Sequence, residues 1–430
     1  MLSILDDDSR PAALDAADPL KEFRAQFSLP AGRIYLDGNS LGPACAPAEK
    51  ALARVMAEWR ALGIEGWLKG NPPWFSLAEN SAARLAPLLG APPDSLALTA
   101  STTVNLHALL ASFYRPAGKR TRIISTALDF PSDQHALASQ IAGRGLDPAR
   151  ELIRVAPRVN RMIAEDDLIA AMDESVALAL LPGVLFQTGQ LLDMEKLAAA
   201  ARVHGVILGL DLAHSIGAVP HSLEAWGVDF AVWCNYKYLN GGPGATGGLF
   251  VHPRHLPSAT GGRAPALQGW WGSNKAVQFD MAPEFFPAPG AGAWQLGTPN
   301  LFSLAPLAGA LELFEAAGLD NLRKKSLALT DYLFELIAEL APHGYGCVTP
   351  REHSRRGGHL ALTHAEAPRI AKALKARGVI PDFRPPDIIR LAPAPLYTTF
   401  RELLTCARHL RAIVETRDHE NFPAGRDAVA

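Results

Sequence analysis

Residues 206–252 read VILGLDLAHSIGAVPHSLEAWGVDFAVWCNYKYLNGGPGATGGLFVH. Three apolar runs stand in this stretch, Val206–Asp211, Phe230–Cys234 and Gly247–His252. Each is too short for a typical helix and apolar almost throughout, which is how strands buried on both faces of a parallel sheet read. The first run ends on a carboxylate, Asp211, and the second is followed three residues later by an amine, Lys237. In open α/β sheets the carboxyl ends of the strands are where ligands collect, so both groups point to a site on that edge.

The same alternation extends outward. Upstream lie the apolar runs Thr121–Thr126, Glu151–Ala156 and Val176–Leu181, with the helical pattern Asp193–His204 between strands. Downstream, Pro283–Pro289 is rich in proline and precedes a long helical pattern, Pro306–His343. Beyond it the runs His359–Thr363, Val379–Phe383 and Ile388–Leu391, with helices Ala365–Arg377 and Thr399–Thr416, predict a smaller α+β unit. Ile34–Leu41 reads as a strand entering a turn. The expectation is an α/β protein with a large domain over 51–310, whose mostly parallel sheet is flanked by helices, and a smaller α+β C-terminal domain over 311–430. Residues 1–50 are expected to pack with the small domain.

Composition excludes several partners. The chain has 430 residues, enough for two structural domains, with 48% hydrophobic and 20% charged residues. A net charge of −2 provides no footprint for nucleic acid or an anionic membrane. Val176–Phe186 is interrupted by Pro182 and Gly183 and is short of the ~20 residues a span needs. Asp6, Asp7 and Asp8 stand where a secretory signal would carry basic residues, so a cytoplasmic location is expected. Cys45, Cys234, Cys347 and Cys406 are scattered without a C-x-x-C pair, and no metal is expected. A small molecule is the expected partner.

A lysine amine desolvated at a strand end can form an imine with an aldehyde, although most lysines are solvated surface residues. Asp211 strengthens the case, because a carboxylate closing a buried strand needs a cation. The protonated pyridine nitrogen of pyridoxal phosphate (PLP) is such a cation, and a helix cap near Ala213 is the competing use of Asp211. His214 is placed to stack on such a ring or to orient Asp211. TASTTVNLHALL, residues 99–110, turns from Leu96–Leu98 into a helix through hydroxyl residues. The first-turn N–H groups with Thr102 and Thr103 suit a phosphate, or serve only as an ordinary cap. Tyr236 and Trp270 offer polar handles on large rings. Arg390, ending Ile388–Leu391, is placed either to grip a carboxylate in two parallel hydrogen bonds or to form a structural ion pair.

Seven segments in order carry a specific resemblance: LDGNSLG (36–42), TVNLHALL (103–110), DFPSDQHA (129–136), TGQLLDM (188–194), DLAHSIGAVP (211–220), CNYKYLNGGPG (234–244) and IRLAPAPLY (389–397). Together they resemble the kynureninase family, fold-type I PLP enzymes of the aminotransferase class V superfamily, over nearly the whole chain. The resemblance implies that fold-type I architecture, PLP bound through Lys237, and hydrolysis of L-kynurenine to anthranilate and L-alanine in tryptophan catabolism. It implies cofactor contacts from Thr102, Thr103, Phe130, Pro131, Ser132, Asp133, Asp211, His214 and Tyr236. Trp270 and Thr298 would complete the site from the neighbouring subunit of a homodimer with shared active sites. Lys237, Tyr236 and Asp211 are the implied catalytic residues, and Arg390, Asn39 and Trp67 the substrate-binding ones.

Three departures stand out. Pro182 occupies a position where relatives can have a serine, Gly297 and Thr298 replace a Ser-Asn pair, and Trp67 lies near the place of a histidine that contacts the aryl ring. They suggest L-kynurenine over its 3-hydroxy derivative. A cysteine desulfurase of the same superfamily is the nearest rival, but it needs a nucleophilic cysteine, and no cysteine lies between Arg351 and Arg390. Cys347 is the remaining candidate. A non-catalytic PLP-fold binding protein, and a nucleotide-binding enzyme using GGPGATGG, are weaker rivals.

Overall fold

The larger sheet of the computed structural model, which describes residues 3–257 and 264–425, has seven strands. They are β1 Leu96–Leu98, β2 Arg122–Thr126, β3 Leu152–Val155, β4 Val176–Pro182, β5 Ile207–Asp211, β6 Phe230–Trp233 and β7 Gly248–Val251. Their spatial order is β3-β2-β4-β5-β6-β7-β1. Strands β3, β2, β4, β5 and β6 are parallel, while β7 runs antiparallel to both β6 and β1. The apolar runs form strands because helices cover both faces and leave residues such as Leu178, Leu208, Leu210 and Val232 fully buried. The helix Met194–His204 shows the local signals at work: Asp193 caps its start by accepting from Lys196 N–H, and Gly205, at φ 64°, ends it in the left-handed region. Gly248 is required where β7 crosses Trp233, because a Cβ there would lie 2.1 Å from the indole.

The second sheet is antiparallel, with β8 Gly346–Cys347, β9 Leu360–Thr363, β10 Asp382–Arg384 and β11 Ile388–Leu391 in the order β8-β9-β11-β10. Helices Leu319–Glu339, Ala367–Ala376 and Phe400–Glu415 pack on it around Leu333, Leu336, Leu362, Leu374, Ile389 and Leu403. Thr399 and Glu402 close a capping box at the start of the last helix.

Three sequence expectations are corrected. The helical pattern Pro306–His343 is two helices, Leu301–Ala317 and Leu319–Glu339, bent by 82° at Gly318. Gly318, at φ 74°, takes a conformation that stops the first helix. The first of these helices buries Leu311, Leu313 and Phe314 in the core of the large sheet, which therefore extends past residue 310 and includes Leu322 of the second helix. The run Val379–Phe383 is split, since Pro381 carries no N–H: Val379–Ile380 pairs in parallel with Ile34–Tyr35, and β10 joins the small sheet. Residues 1–50 serve both cores, with Leu5 and Leu36 in the small one and Leu20, Phe27 and Cys45 in the large one. Among the described residues no single helix is long and apolar enough to cross a membrane.

Candidate active site

Register gathers the candidate residues. Pro182 lies opposite Asp211, Asp211 opposite Val232, and Gly248 opposite both Trp233 and Leu98. The loop carrying Lys237, the end of β5 and the helix starting at Thr102 therefore share one edge of the sheet. The lysine loop is held on both sides. Asn235 donates from Nδ2 to Thr246 O (2.5 Å) and accepts from Trp233 Nε1 (2.9 Å), Asn240 N–H donates to Lys237 O (3.0 Å), and Gly42 N–H donates to Tyr236 O (2.7 Å). Lys237 Nζ then sits 2.9 Å from His214 Nε2. Burial first, and the Lys237 charge next, hold the His214 imidazole well below its usual range, so it is neutral and accepts from the ammonium.

Beside them is a set of acids. Burial, with the neighbouring charges of Asp211 and Asp129, raises Asp133 well above the carboxylate range, so Asp133 keeps its proton and hydrogen-bonds to Asp211. Burial pushes Asp129 up to about 7, although it accepts from Thr126 N–H (3.0 Å) and Thr126 Oγ1 (2.5 Å). Asp211 Oδ1 accepts from Ala213 N–H at 2.8 Å, which caps a turn and not the helix that was the alternative. Buried Asp129 and Asp133 with half-buried Asp211 suit a cationic ligand.

The opposite end of the edge suits an anion. In the helix Thr102–Phe113 the N-cap Ser101 makes no side-chain cap, so the first-turn N–H groups beside half-buried Thr102 and Thr103 have no hydroxyl closing them off. The simple capping alternative is therefore not realised. Phe130 caps the helix Pro131–Ala142 with Pro131 at its first position, and its ring lies 5.9 Å from Lys237 Nζ and edge-on to Phe186. Ser132 hydrogen-bonds weakly to Asp133 (3.4 Å). Burial raises the Tyr236 hydroxyl above its ordinary range, with the Cys234 thiol as its neighbour. An acid set, an open helix N-terminus, a lysine amine and the buried, unpartnered Nδ1 of His214 together fit an aromatic ring with a cationic nitrogen and a phosphate arm.

On the side of the small sheet, Arg390 is buried and bonded on several edges. Its Nε and Nη2 contact Asp382, Nη1 donates to Phe186 O (2.8 Å), and Nη2 donates to Ser40 Oγ (3.2 Å). The structure thus contains the ion pair that was one of its two readings. Asn39 is fully buried with neither amide atom bonded. The sequence reading missed His359, a fully buried imidazole 6.0 Å from the His214 ring, edge to face. Its only sequence signal is a polar residue opening the apolar run of β9. It also missed Asp129, Asp382 and Phe186.

Three candidates are not brought to Lys237 within the chain. Trp67 packs against Trp74 and Trp271, Trp270 against Phe279, and Thr298 is exposed. Among the described residues none has a hydrogen bond or ring contact with Lys237, Asp211 or His214. Cys347, the candidate nucleophile of the desulfurase alternative, lies in β8, and burial raises its thiol above the usual range, the reverse of what a nucleophile needs.

Residues 322–410 match the family model described as the kynureninase C-terminal domain. Kynureninase of Geobacillus thermodenitrificans is 51% identical over 97% of this chain and 96% of its own length. Those of Shouchella clausii and Bacillus anthracis are 49% and 48% identical over the same shares. Among solved structures, a C-DES variant with glycine covalently linked to its PLP cofactor superposes with a TM-score of 0.78 at 21% identity, over 90% of this chain and 98% of that one. Apo cysteine desulfurase of Thermococcus onnurineus gives 0.78 at 18%, over 92% and 98%. These two likenesses support the α/β fold with its large and small domains.

Proposed function

The chain belongs to the kynureninase family, and we propose on that premise that it hydrolyses L-kynurenine at the Cβ–Cγ bond, giving anthranilate and L-alanine in tryptophan catabolism, with PLP as cofactor. The observation that carries this reading is the convergence of Lys237, the Asp133–Asp211 pair and the open start of the Thr102 helix on one sheet edge. When bound, PLP supplies an electron sink for the substrate's α-carbon, which makes the bond beside the side-chain ketone breakable.

Thr102, Thr103, Ser132 and Tyr236 would hold the phosphate, Phe130 and Pro131 the flank of the ring, and Asp211 its nitrogen. Asp133, which burial raises above the carboxylate range, hydrogen-bonds to Asp211 and orients it. Lys237 would carry the aldehyde carbon and, once free, takes the α-proton as general base. His214 receives the Lys237 hydrogen bond and, being neutral, adds no competing charge. Tyr236, whose proton burial retains, would donate to the phosphate and is the proton source we assign to the product's Cβ. One water adds to the ketone carbon and ends in the anthranilate carboxyl. Arg390 and Asn39 are the residues we assign to the substrate's amino-acid end.

The assembly we propose is a cytoplasmic homodimer with shared sites, in which Trp270 and Thr298 serve the partner's cofactor and Trp67 is assigned to the aryl ring of the substrate. Support comes from the exposed apolar side chains near them, Trp270, Phe279 and Met281, the last 70% exposed. A large and a small domain are the functional division we propose, with the helix Leu301–Ala317, which runs beyond residue 310, belonging to the large one.

The test is the spectrum of the purified protein with PLP, followed by L-kynurenine and measurement of anthranilate fluorescence and alanine. Equal amounts of both products are expected, with slower turnover of 3-hydroxykynurenine. A band without products, or alanine formed from cysteine, overturns the reading.

A further inference from the structure

Arg390 and Asp382 face each other across neighbouring antiparallel strands, β11 and β10, so the sheet itself sets their pairing. Asp382 is fully buried, with Arg384 Nε as a second cation at 3.0 Å and with its Oδ1 unpartnered. A guanidinium offers five N–H donors. In Arg390, Nε donates to Asp382, Nη2 makes an ion-pair contact with the same carboxylate, Nη1 donates to Phe186 O, and Nη2 donates to Ser40 Oγ at 3.2 Å, the longest of these contacts. Nη1 carries two hydrogens and has one partner, Phe186 O, among the described residues. One flank of the fork is therefore locked, while its outer end holds a free donor and one displaceable by exchange of the serine hydroxyl.

A buried pair of this kind gives little stability over apolar residues of the same volume, so its placement calls for another role. We infer that Asp382 is a positioning residue for substrate binding: by fixing the Nε side of Arg390 it turns the Nη1 and Nη2 donors, the latter shared with Ser40, toward the carboxylate of an α-amino acid. The inference rests on Arg390 being the carboxylate-binding residue. Asp382 itself does not touch substrate. It keeps a flexible side chain in one rotamer and leaves the Arg384 charge partly uncompensated, which favours an incoming anion.

The test uses the PLP-loaded enzyme and two probes, L-kynurenine and kynuramine, which is the same molecule without the carboxylate. Asp382→Asn keeps the shape and removes the charge. It is expected to raise KM for L-kynurenine by about tenfold while kcat changes by less than about threefold and the inhibition constant of kynuramine stays unchanged. In an Arg390→Lys background the same change is expected to add nothing further. Asp382→Glu restores the charge and should recover part of the loss; it carries the same test if the Asn variant does not accumulate. A raised KM in Arg390→Lys with an unchanged KM in Asp382→Asn overturns the inference alone. Unchanged KM in Arg390→Lys overturns the role of Arg390 and the inference with it. Equal weakening of both probes shows a merely structural role and overturns it as well.

Discussion

Gly42→Ala is expected to disable the enzyme through the backbone of the lysine loop. A Cβ on Gly42 would lie 2.3 Å from Lys237 O, 2.2 Å from Asn240 Oδ1 and 3.0 Å from Asn240 Cα. The amide of Asn240 can swing away, but the carbonyl cannot, because Asn240 N–H donates to it at 3.0 Å. To reach even the tightest tolerated contact the two segments must separate by about 0.7 Å, and misplacements near 1 Å cost about a hundredfold in rate when they reach the reacting groups. The separation also strains the Gly42 N–H bond to Tyr236 O, now 2.7 Å. Overpacking plus that bond should cost about 2–4 kcal/mol of stability. The assay is anthranilate release under saturating PLP, paired with urea unfolding. A Gly42→Ala enzyme with wild-type kcat and an unshifted urea midpoint would refute the argument that this contact positions Lys237.

Lys237→Ala should lose both the visible absorption of covalently held PLP and all product formation; turnover at the wild-type rate would remove Lys237 from the chemistry. Burial depresses His221 to about 4, with Ser215 Oγ at 2.9 Å from its Nε2. As pH falls from about 6.5 toward 4 the unfolded chain gains a proton that the folded one refuses, so up to about 3 kcal/mol of stability is lost in that window. Urea midpoints of the apoprotein between pH 8 and 5 should fall less steeply for His221→Gln, and equal slopes would contradict the assignment. Lys325 and Asp18 form a buried ion pair at 2.6 Å. Lys325→Met should cost about 3–5 kcal/mol by stranding Asp18, and adding Asp18→Leu should recover most of it. A double variant as unstable as the single one would show that the cost comes from packing instead.

The strands of the large sheet were legible because both faces are buried, which makes them short apolar runs that end abruptly. Asp211 and Lys237 stood out for the same reason, as charges at the ends of such runs. Local chemistry likewise marked the hydroxyl-rich start of the Thr102 helix. Gly318 and Pro381 were visible as residues, yet whether each would bend, split or merely interrupt its element depended on which core lay beyond it. Trp67 shows the same limit, since its ring neighbours, Trp74 and Trp271, lie outside its own helix Gly66–Lys69.

The sequence by itself determined the class of fold, the order of its elements and the types of group offered to a cofactor, because these follow from hydrophobic period and turn chemistry within a few residues. Only the tertiary structure decided what each group meets. Asp382 opposite Arg390, Gly42 against the Lys237 carbonyl and His359 edge-on to His214 are pairings of residues eight to nearly two hundred positions apart. Sheet register and the packing of two cores choose such partners, and neither is written in the local pattern of any one segment.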